Sequence, residues 1–408
     1  MGITSYLDFI GGISLKKVLT WKGYDYTLIL VPIFLSAFGL LMVYSASMVS
    51  TTIDGLDSTY YLFKQLKWFI LGLIGFAFCC IFPYKNYKRM VMPIVLISIG
   101  LLLLTIIFGD TVNRATRSVD ILGFNIQPSE FVKLFLIIYL AAIYSKKQEY
   151  IGNFLYGAFP PLVMTMFMVG LIILQPDIGT ATIILMIVST IILSSGIKMK
   201  HIIFLCTCCF VVLLFLIPKL ITDSRIARFT GAFHPFENPD GDGYHLIQSY
   251  LAIGGGGVHG EGLGQSVQKL GYLWGAHTDF IMAVVSEELG LFGVILVIGL
   301  FLIIILRGLH IAKKCTDSFG SLLAIGISSM VAIQAIINLG AISGLLPITG
   351  VPLPFISYGG SSLFILLISM GILNNIARSV HVTEEEPRVI ESTPIYQNKE
   401  RRGTTWPN

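Results

Sequence analysis

At 408 residues, with 55% hydrophobic and only 12% charged side chains and a mean hydropathy of +0.81, the chain is no soluble globular domain, for which about 25% charged residues are usual. Its formal net charge of +4 calls for no nucleic-acid partner, because the basic residues collect where cytoplasmic loops are expected. The composition is that of an all-α polytopic membrane protein.

Hydrocarbon about 30 Å thick needs about 20 apolar residues in helix, since every backbone polar group must be paired within the segment. That ruler predicts ten spans, at 27–48, 65–83, 91–109, 128–145, 157–175, 178–195, 201–219, 280–306, 319–340 and 361–378. Residues 1–26 read as a cytoplasmic leader, with Asp8 and Lys16 and no apolar core of the length a cleavable signal needs. Segments 16–22, 85–89, 146–147, 198–200, 307–314 and the chain from 378 on alternate to one side and hold most of the 27 Lys and Arg residues. Both termini are therefore expected in the cytoplasm, with the ten-helix membrane domain at 27–380.

Of the cysteines, Cys79, Cys80, Cys206, Cys208 and Cys209 fall within spans and Cys315 on the cytoplasmic side, so none is placed for an external disulfide. The CxxC of Cys206 and Cys209 has no further His or Cys nearby to complete a metal or redox site.

The fourth span opens with "QPSEFVK". Pro128 suits a first helical turn, and Glu130 and Lys133, three apart, can face each other near the outer surface. Either they form a local ion pair, or Lys133 faces an external cavity and holds a phosphate. Asp177, in "QPDIGT" at the outer turn between the fifth and sixth spans, is placed to cap the sixth helix, the alternative being a functional role.

Between the seventh and eighth spans lies a long extracytoplasmic loop, 220–278, rich in glycine and charge. Loops of this kind carry function more often than the elements they join. It holds Arg225, Arg228 and Lys269, and "NPDGDG" at 238–243, which reads as a turn because it lacks the spacing and terminal Glu of a calcium loop.

The loop leads into "AHTDFIMAVVSEELGLFGVILVIGLFLIIIL", residues 276–306. A charge at mid-bilayer costs ~2.5–3.5 kcal/mol, so Asp279 at the entrance and Glu287 and Glu288 within the span need a reason. With the helix taken from Asp279, Glu287 lies to one side and Glu288 points away, so the two glutamates are not expected to serve one surface. Gly290 and Gly293, with Ala283, let a neighbouring helix approach closely. Asp279 is a helix cap, a catalytic carboxylate, or both.

No pair of interrupted helices appears in corresponding halves, the usual pointer to alternating access. The last external connection, "GLLPITGVPLPFISYGGSS", contains Pro347, Pro352 and Pro354 and cannot be regular helix. Irregular backbone near a membrane is tolerated where it lines a cavity, so this stretch is expected to shape the mouth of an external site, offering the hydroxyls of Ser357, Tyr358, Ser361 and Ser362. Residues 381–408 lack apolar content and are expected to be a disordered cytoplasmic tail.

"GLGQSVQKLGYLWGAHTDFIMAVVSEELG", "QPSEFVKL", "QPDIGT" and "SGLLPITGVPLPFISYGGSS" together resemble the SEDS proteins (shape, elongation, division and sporulation) over almost the whole chain. Within that family "GQSVQKLGYL" is more similar to the division members than to the elongation members. The resemblance implies a peptidoglycan glycosyltransferase that polymerises lipid II at the outer face of the cytoplasmic membrane, for septal cell-wall synthesis. It also implies a single-pass class B penicillin-binding protein as crosslinking partner, among other division-complex membrane proteins. It maps the family's catalytic aspartate onto Asp279 and its basic position in the fourth span onto Lys133. Two departures stand out: Trp274 and Gly275 occupy the places where the family usually has Pro-Glu, and Ser118 stands where an Arg-Trp pair is common.

Extending a glycan from a lipid diphosphate needs a base for the acceptor hydroxyl and cations for the departing diphosphate. Asp279 is the candidate base. Lys133, Arg225, Arg228 and Lys269 are the candidate cations, and Glu130, His277, Ser357 and Ser361 the further candidates for contacting lipid II. A divalent cation, Mg or Mn, held by a carboxylate can share the task. Two rival functions are a lipid II flippase, with Glu130 and Lys133 on a translocation path, and a non-catalytic scaffold that recruits the penicillin-binding protein.

Overall fold

The computed structural model describes residues 23–112, 115–121, 124–204, 207 and 223–391. Each expected span that lies within the described residues has its helix: α1 (Tyr26–Ile53), α2 (Tyr60–Ile81), α3 (Val91–Phe108), α4 (Pro128–Lys146), α5 (Phe159–Leu174, preceded by a π turn at Phe154–Ala158), α6 (Ile178–Ser194), and, after the long loop that ends at 278, α9 (Ile281–Lys314), α10 (Ser318–Ile342) and α11 (Gly360–Glu391). Among the described residues eight helices are long and apolar enough to cross a membrane, and α6 is apolar but shorter, at 17 residues. The seventh span, 201–219, and the CxxC within it lie mostly outside the described residues. The last helix runs past the expected boundary at 380 to Glu391, and residues 392–408 lie outside the described residues.

The architecture follows from which helices hide their side chains. The spanning windows of α4, α10 and α11 are 72%, 67% and 78% buried, whereas those of α2, α3 and α9 are each only 28% buried and turn rows of Leu, Ile and Phe outward. The first three form the centre, and the others present the lipid-facing rim that hydrocarbon requires. Close approach is built on small residues: a Cβ on Gly326 of α10 would stand 2.4 Å from Ile137 Cγ2 of α4, and one on Gly72 of α2 would stand 2.5 Å from Leu367 Cδ1 of α11. At the opposite end from the external loop, Asn375 of α11 accepts from Tyr84 N at 2.9 Å and donates to Cys80 O at 2.7 Å, pinning the end of α2. There Asp25, the N-cap of α1, also pairs with Arg307 Nε of α9 at 2.5 Å.

The all-α expectation misses one feature. The first external connection folds into a small antiparallel sheet of β1 (Asp110–Val112), β2 (Ala115–Ile121) and β3 (Phe124–Ile126), with Val119 opposite Ile126. Its Thr, Val and Ile residues suit strands, but β1 and β3 have only three residues each and Arg117 interrupts the apolar alternation of β2. The external loop before α9 contributes two short helices, α7 (Asp223–Phe233) and α8 (Tyr244–Gly255), joined through a turn at 238–243, as read.

α9 is not continuous. Gly290 has φ 64° and ψ −157°, a conformation open only to glycine, and it breaks the helix into an outer segment, 281–289, and a longer inner one. Sequence reasoning assigned Gly290 to the approach of another helix. The element that approaches is the external loop itself: a Cβ on Gly290 would meet Gly260 N at 2.4 Å.

Candidate functional site

The site begins at α4. Pro128 occupies its first turn, and one helical turn on, Lys133 Nζ lies 2.8 Å from Glu130 Oε1 with both side chains buried. Beside this pair is a cavity of about 90 Å³, bounded by Glu130 and Lys133 of α4, Asp177 and Thr180 at the start of α6, and residues 349–352 of the proline-rich connection. Asp177 does cap α6, accepting from Thr180 N at 3.3 Å and from Thr180 Oγ1 at 2.8 Å, and its residue lines the cavity as well. Thr349, which packs against Gly179 at the start of α6, has its Oγ1 buried without a hydrogen-bond partner among the described residues. The connection therefore lines this cavity with residues 349–352.

Asp279 reaches the same wall from the other side. A Cβ on Gly350, a lining residue, would stand 3.9 Å from Asp279 Oδ2. The residue is partly exposed, and its Oδ1 accepts from Thr278 Oγ1 at 2.8 Å. α9 starts only at Ile281, with Phe280 at the N-cap and no side-chain cap, so Asp279 is not the helix cap that its position suggested.

Around it stand groups that hold the backbone. Asn338 of α10 donates to Asp279 O and to Val351 O, each at 2.8 Å. Ser357 Oγ donates to Thr278 O at 2.6 Å and accepts from Leu353 N at 2.8 Å. Ser361 Oγ donates to Asn125 O at 3.2 Å and accepts from Gln127 N at 2.9 Å, tying β3 and the start of α4 to α11. Both serines were candidates for contacting lipid II, and both are occupied in joining loops.

His277 packs in an aromatic cluster, stacked on Tyr61 at 4.6 Å between ring centroids, with Tyr358 edge-on to Tyr61 at 4.8 Å. Burial pulls the His277 pKa below its ordinary value and pushes that of Tyr358 up. His245 of α8 was not singled out from sequence. Burial lowers its pKa too, the negative charge of Asp279 opposing that shift, and its Nδ1 is buried without a partner among the described residues. Nothing local in the sequence links α8 to the turn before α9.

Of the remaining cations, Arg228 and Lys269 do not line the cavity. Arg228 is exposed on α7, and Arg225 lies on α7 with its side chain outside the described residues. Lys269 Nζ is 2.7 Å from Glu288 Oε1 and 2.9 Å from Ser45 Oγ, deep inside the protein. The two glutamates, expected to serve different surfaces, both serve the external loop: Glu287 accepts from Ser266 Oγ and from Val267 N, the latter at 2.8 Å. Residues 266–269 wrap around the outer segment of α9 and so reach both faces. Among the described residues no three His, Cys, Asp or Glu side chains gather to hold a metal ion.

A family profile described as "Cell cycle protein", for FtsW, RodA and SpoVE, matches residues 26–382. The chain is 48% identical over 384 residues to the probable peptidoglycan glycosyltransferase FtsW of Bacillus subtilis (strain 168), covering 92% of this chain and 95% of that protein. It is 40% identical over 359 residues to the stage V sporulation protein E of the same organism, covering 87% and 97%. Among solved structures it is similar to a chain from work on the structural coordination of polymerization and crosslinking by a peptidoglycan synthase complex, with a TM-score of 0.72 and 25% identity over 88% of this chain and 99% of that one. The crystal structure of the rod shape determining protein RodA of Thermus thermophilus is also similar, with a TM-score of 0.65 and 25% identity over 88% and 98% of the two chains.

Proposed function

Because the chain belongs to the cell cycle protein family of FtsW, RodA and SpoVE, the SEDS proteins, we propose that it is a multi-pass membrane peptidoglycan glycosyltransferase that polymerises lipid II at the outer face of the cytoplasmic membrane. Both termini are cytoplasmic and the loop 220–278 is external in this reading, and the enzyme works at the division septum with a class B penicillin-binding protein and other division proteins. Support for the division role is the likeness to FtsW proteins, and support for the partner is the likeness to a chain of a synthase complex that joins polymerization to crosslinking.

One juxtaposition carries the mechanism: the Asp279 carboxylate approaches Gly350, and Gly350 lines the cavity that holds Lys133. Asp279 takes the proton from the acceptor sugar hydroxyl, a contribution of ~10²–10⁴-fold. The oxygen so activated attacks the anomeric carbon of the donor sugar, and the bond from that carbon to the diphosphate breaks. Lys133 meets the charge that develops on the departing diphosphate, inside a cavity shielded from bulk water where such a cation acts strongly. Glu130 holds Lys133 in place.

The test incubates the purified protein and its crosslinking partner with lipid II and resolves glycan chains by gel. Wild type is expected to yield polymer, and Asp279→Asn none at equal complex concentration. The asparagine removes no helix cap, since Phe280 holds that position. Wild-type-length polymer from Asp279→Asn removes the base assignment. Absence of polymer from an intact wild-type complex favours a flippase or a scaffold instead.

A further inference from the structure

Where α9 breaks, its missing hydrogen bonds are completed by the external loop. In an unbroken helix Glu287 O would pair with Leu291 N, and Glu288 O with Phe292 N. Instead Leu291 N donates to Gly257 O at 3.1 Å, while Glu261 N and Gly262 N donate to Glu287 O at 2.9 Å and Glu288 O at 3.0 Å. The backbones approach too closely for any side chain: a Cβ on Gly256 would fall 1.9 Å from Ser286 O, and one on Gly260 would fall 2.2 Å from Glu288 O.

The side chains complete the same joint. Lys269 Nζ meets Glu288 Oε1 at 2.7 Å with 1% and 0% of the two side chains exposed, and Ser45 Oγ of α1 donates to the same oxygen at 2.6 Å. A cation and an anion buried this deeply are tolerable together, and either one alone is not.

Resting on the polymerase reading, we propose that Lys269 and Glu288 are positioning residues: their ion pair latches the external loop into the break of α9 and thereby holds Asp279 against the cavity wall. The outer segment of α9, 281–289, is a rigid rod of about 13 Å. Asp279 leads into its outer end, Glu287 and Glu288 stand at its inner end, and the loop that docks there returns directly to Asp279. An unlatched loop lets the carboxylate drift, and a misplacement of about 1 Å can cost ~10²-fold in rate. Lys269 is therefore not a diphosphate ligand. Buried and committed to Glu288, it acts through the carboxylate.

The test uses the full chain with its crosslinking partner and compares wild type, Lys269→Met, Glu288→Leu and the double variant Lys269→Met/Glu288→Leu. Each single change is expected to lower kcat for lipid II polymerisation by ~10²-fold with KM within about twofold, and the double variant to recover most of the loss, because an apolar pair can replace a buried ion pair. Loop docking is read separately, without activity. His259 and Phe292 face each other across the joint, 5.7 Å between ring centroids. In a background without native cysteines, a short bis-maleimide is expected to crosslink His259→Cys to Phe292→Cys rapidly with the latch intact or replaced by the apolar pair, and slowly in either single variant. A raised KM with unchanged kcat in Lys269→Met, a double variant as inactive as the singles, or crosslinking indifferent to the pair overturns the latch. A wild-type complex that makes no polymer sinks the polymerase reading, while the crosslinking still decides whether the latch exists.

Discussion

Asn338 and Asp279 are joined through the backbone: one side-chain amide of α10 donates at 2.8 Å to the Asp279 carbonyl and, also at 2.8 Å, to that of Val351 in the cavity wall. The carboxylate's place is thus set by a buried group it does not itself touch. Asn338→Leu keeps the bulk and removes both bonds, leaving two carbonyls to find other partners at a cost of about 1–3 kcal/mol each. Polymerisation is expected to fall at least ~10-fold in kcat, with KM for lipid II little changed. Wild-type kcat from a variant of verified abundance shows that the turn before α9 holds itself.

The Glu130–Lys133 pair is a sharper case, because removing one partner of a buried pair is destabilising by itself, by ~3–5 kcal/mol. Lys133→Met alone is expected to lower membrane abundance as well as activity. The double change Glu130→Gln/Lys133→Met leaves no buried unpaired charge, so abundance and thermal stability should return while polymer stays absent. Recovery of polymer in the double variant assigns Lys133 a purely structural task.

The limits of sequence reading follow from the range of the interactions. Spans are local hydropathy, and Glu130 facing Lys133 is a matter of helical spacing, so both were legible. So was the proline-rich wall, since three prolines exclude helix wherever they fold. Lys269 was read as a candidate diphosphate ligand, and its pairing with Glu288 had no signal in sequence, because the two meet only where the loop docks at the break in α9. Gly290 adopts its glycine-only conformation because Gly256 and Gly260 arrive from another part of the chain. Asn338 and His245 carry no local signature either, as each matters only through what a distant turn brings to it.

Acid should destabilise the protein through His277. Burial lowers its folded-state pKa below the ordinary 6.5. Between the two values the unfolded chain binds more protons than the folded one, so stability rises with pH in that window and is lost as pH falls below 6.5 toward the folded value. His245 adds to the same acid limb, since burial outweighs the attraction of Asp279. His277→Phe keeps a ring against Tyr61 and cannot titrate. Thermal unfolding at about pH 7.5 and about pH 5.5 should show a smaller loss in the variant than in wild type. Equal losses exclude His277 from the acid limb.

Gly275 offers a way to move the Asp279 carboxylate without changing it. The residue has φ +74°, and a Cβ there would stand 2.7 Å from Asp279 Oδ1 and 3.0 Å from Thr278 Oγ1. Gly275→Ala therefore has two separable effects. Backbone strain costs roughly 1–2 kcal/mol. The clash is relieved cheaply, since its nearest atom is the end of an aspartate side chain, but the relief moves the carboxylate that must receive the proton. Gly264→Ala is the control, for Gly264 has φ +81° and nothing within 4 Å of a Cβ, so it carries the strain without the clash. Both variants are expected to lose similar thermal stability, while only Gly275→Ala loses ~10²-fold in kcat, as a misplacement of about 1 Å would produce. Equal activity in the two variants at matched concentration means that displacing Oδ1 leaves the reaction untouched, and Asp279 is then not the base.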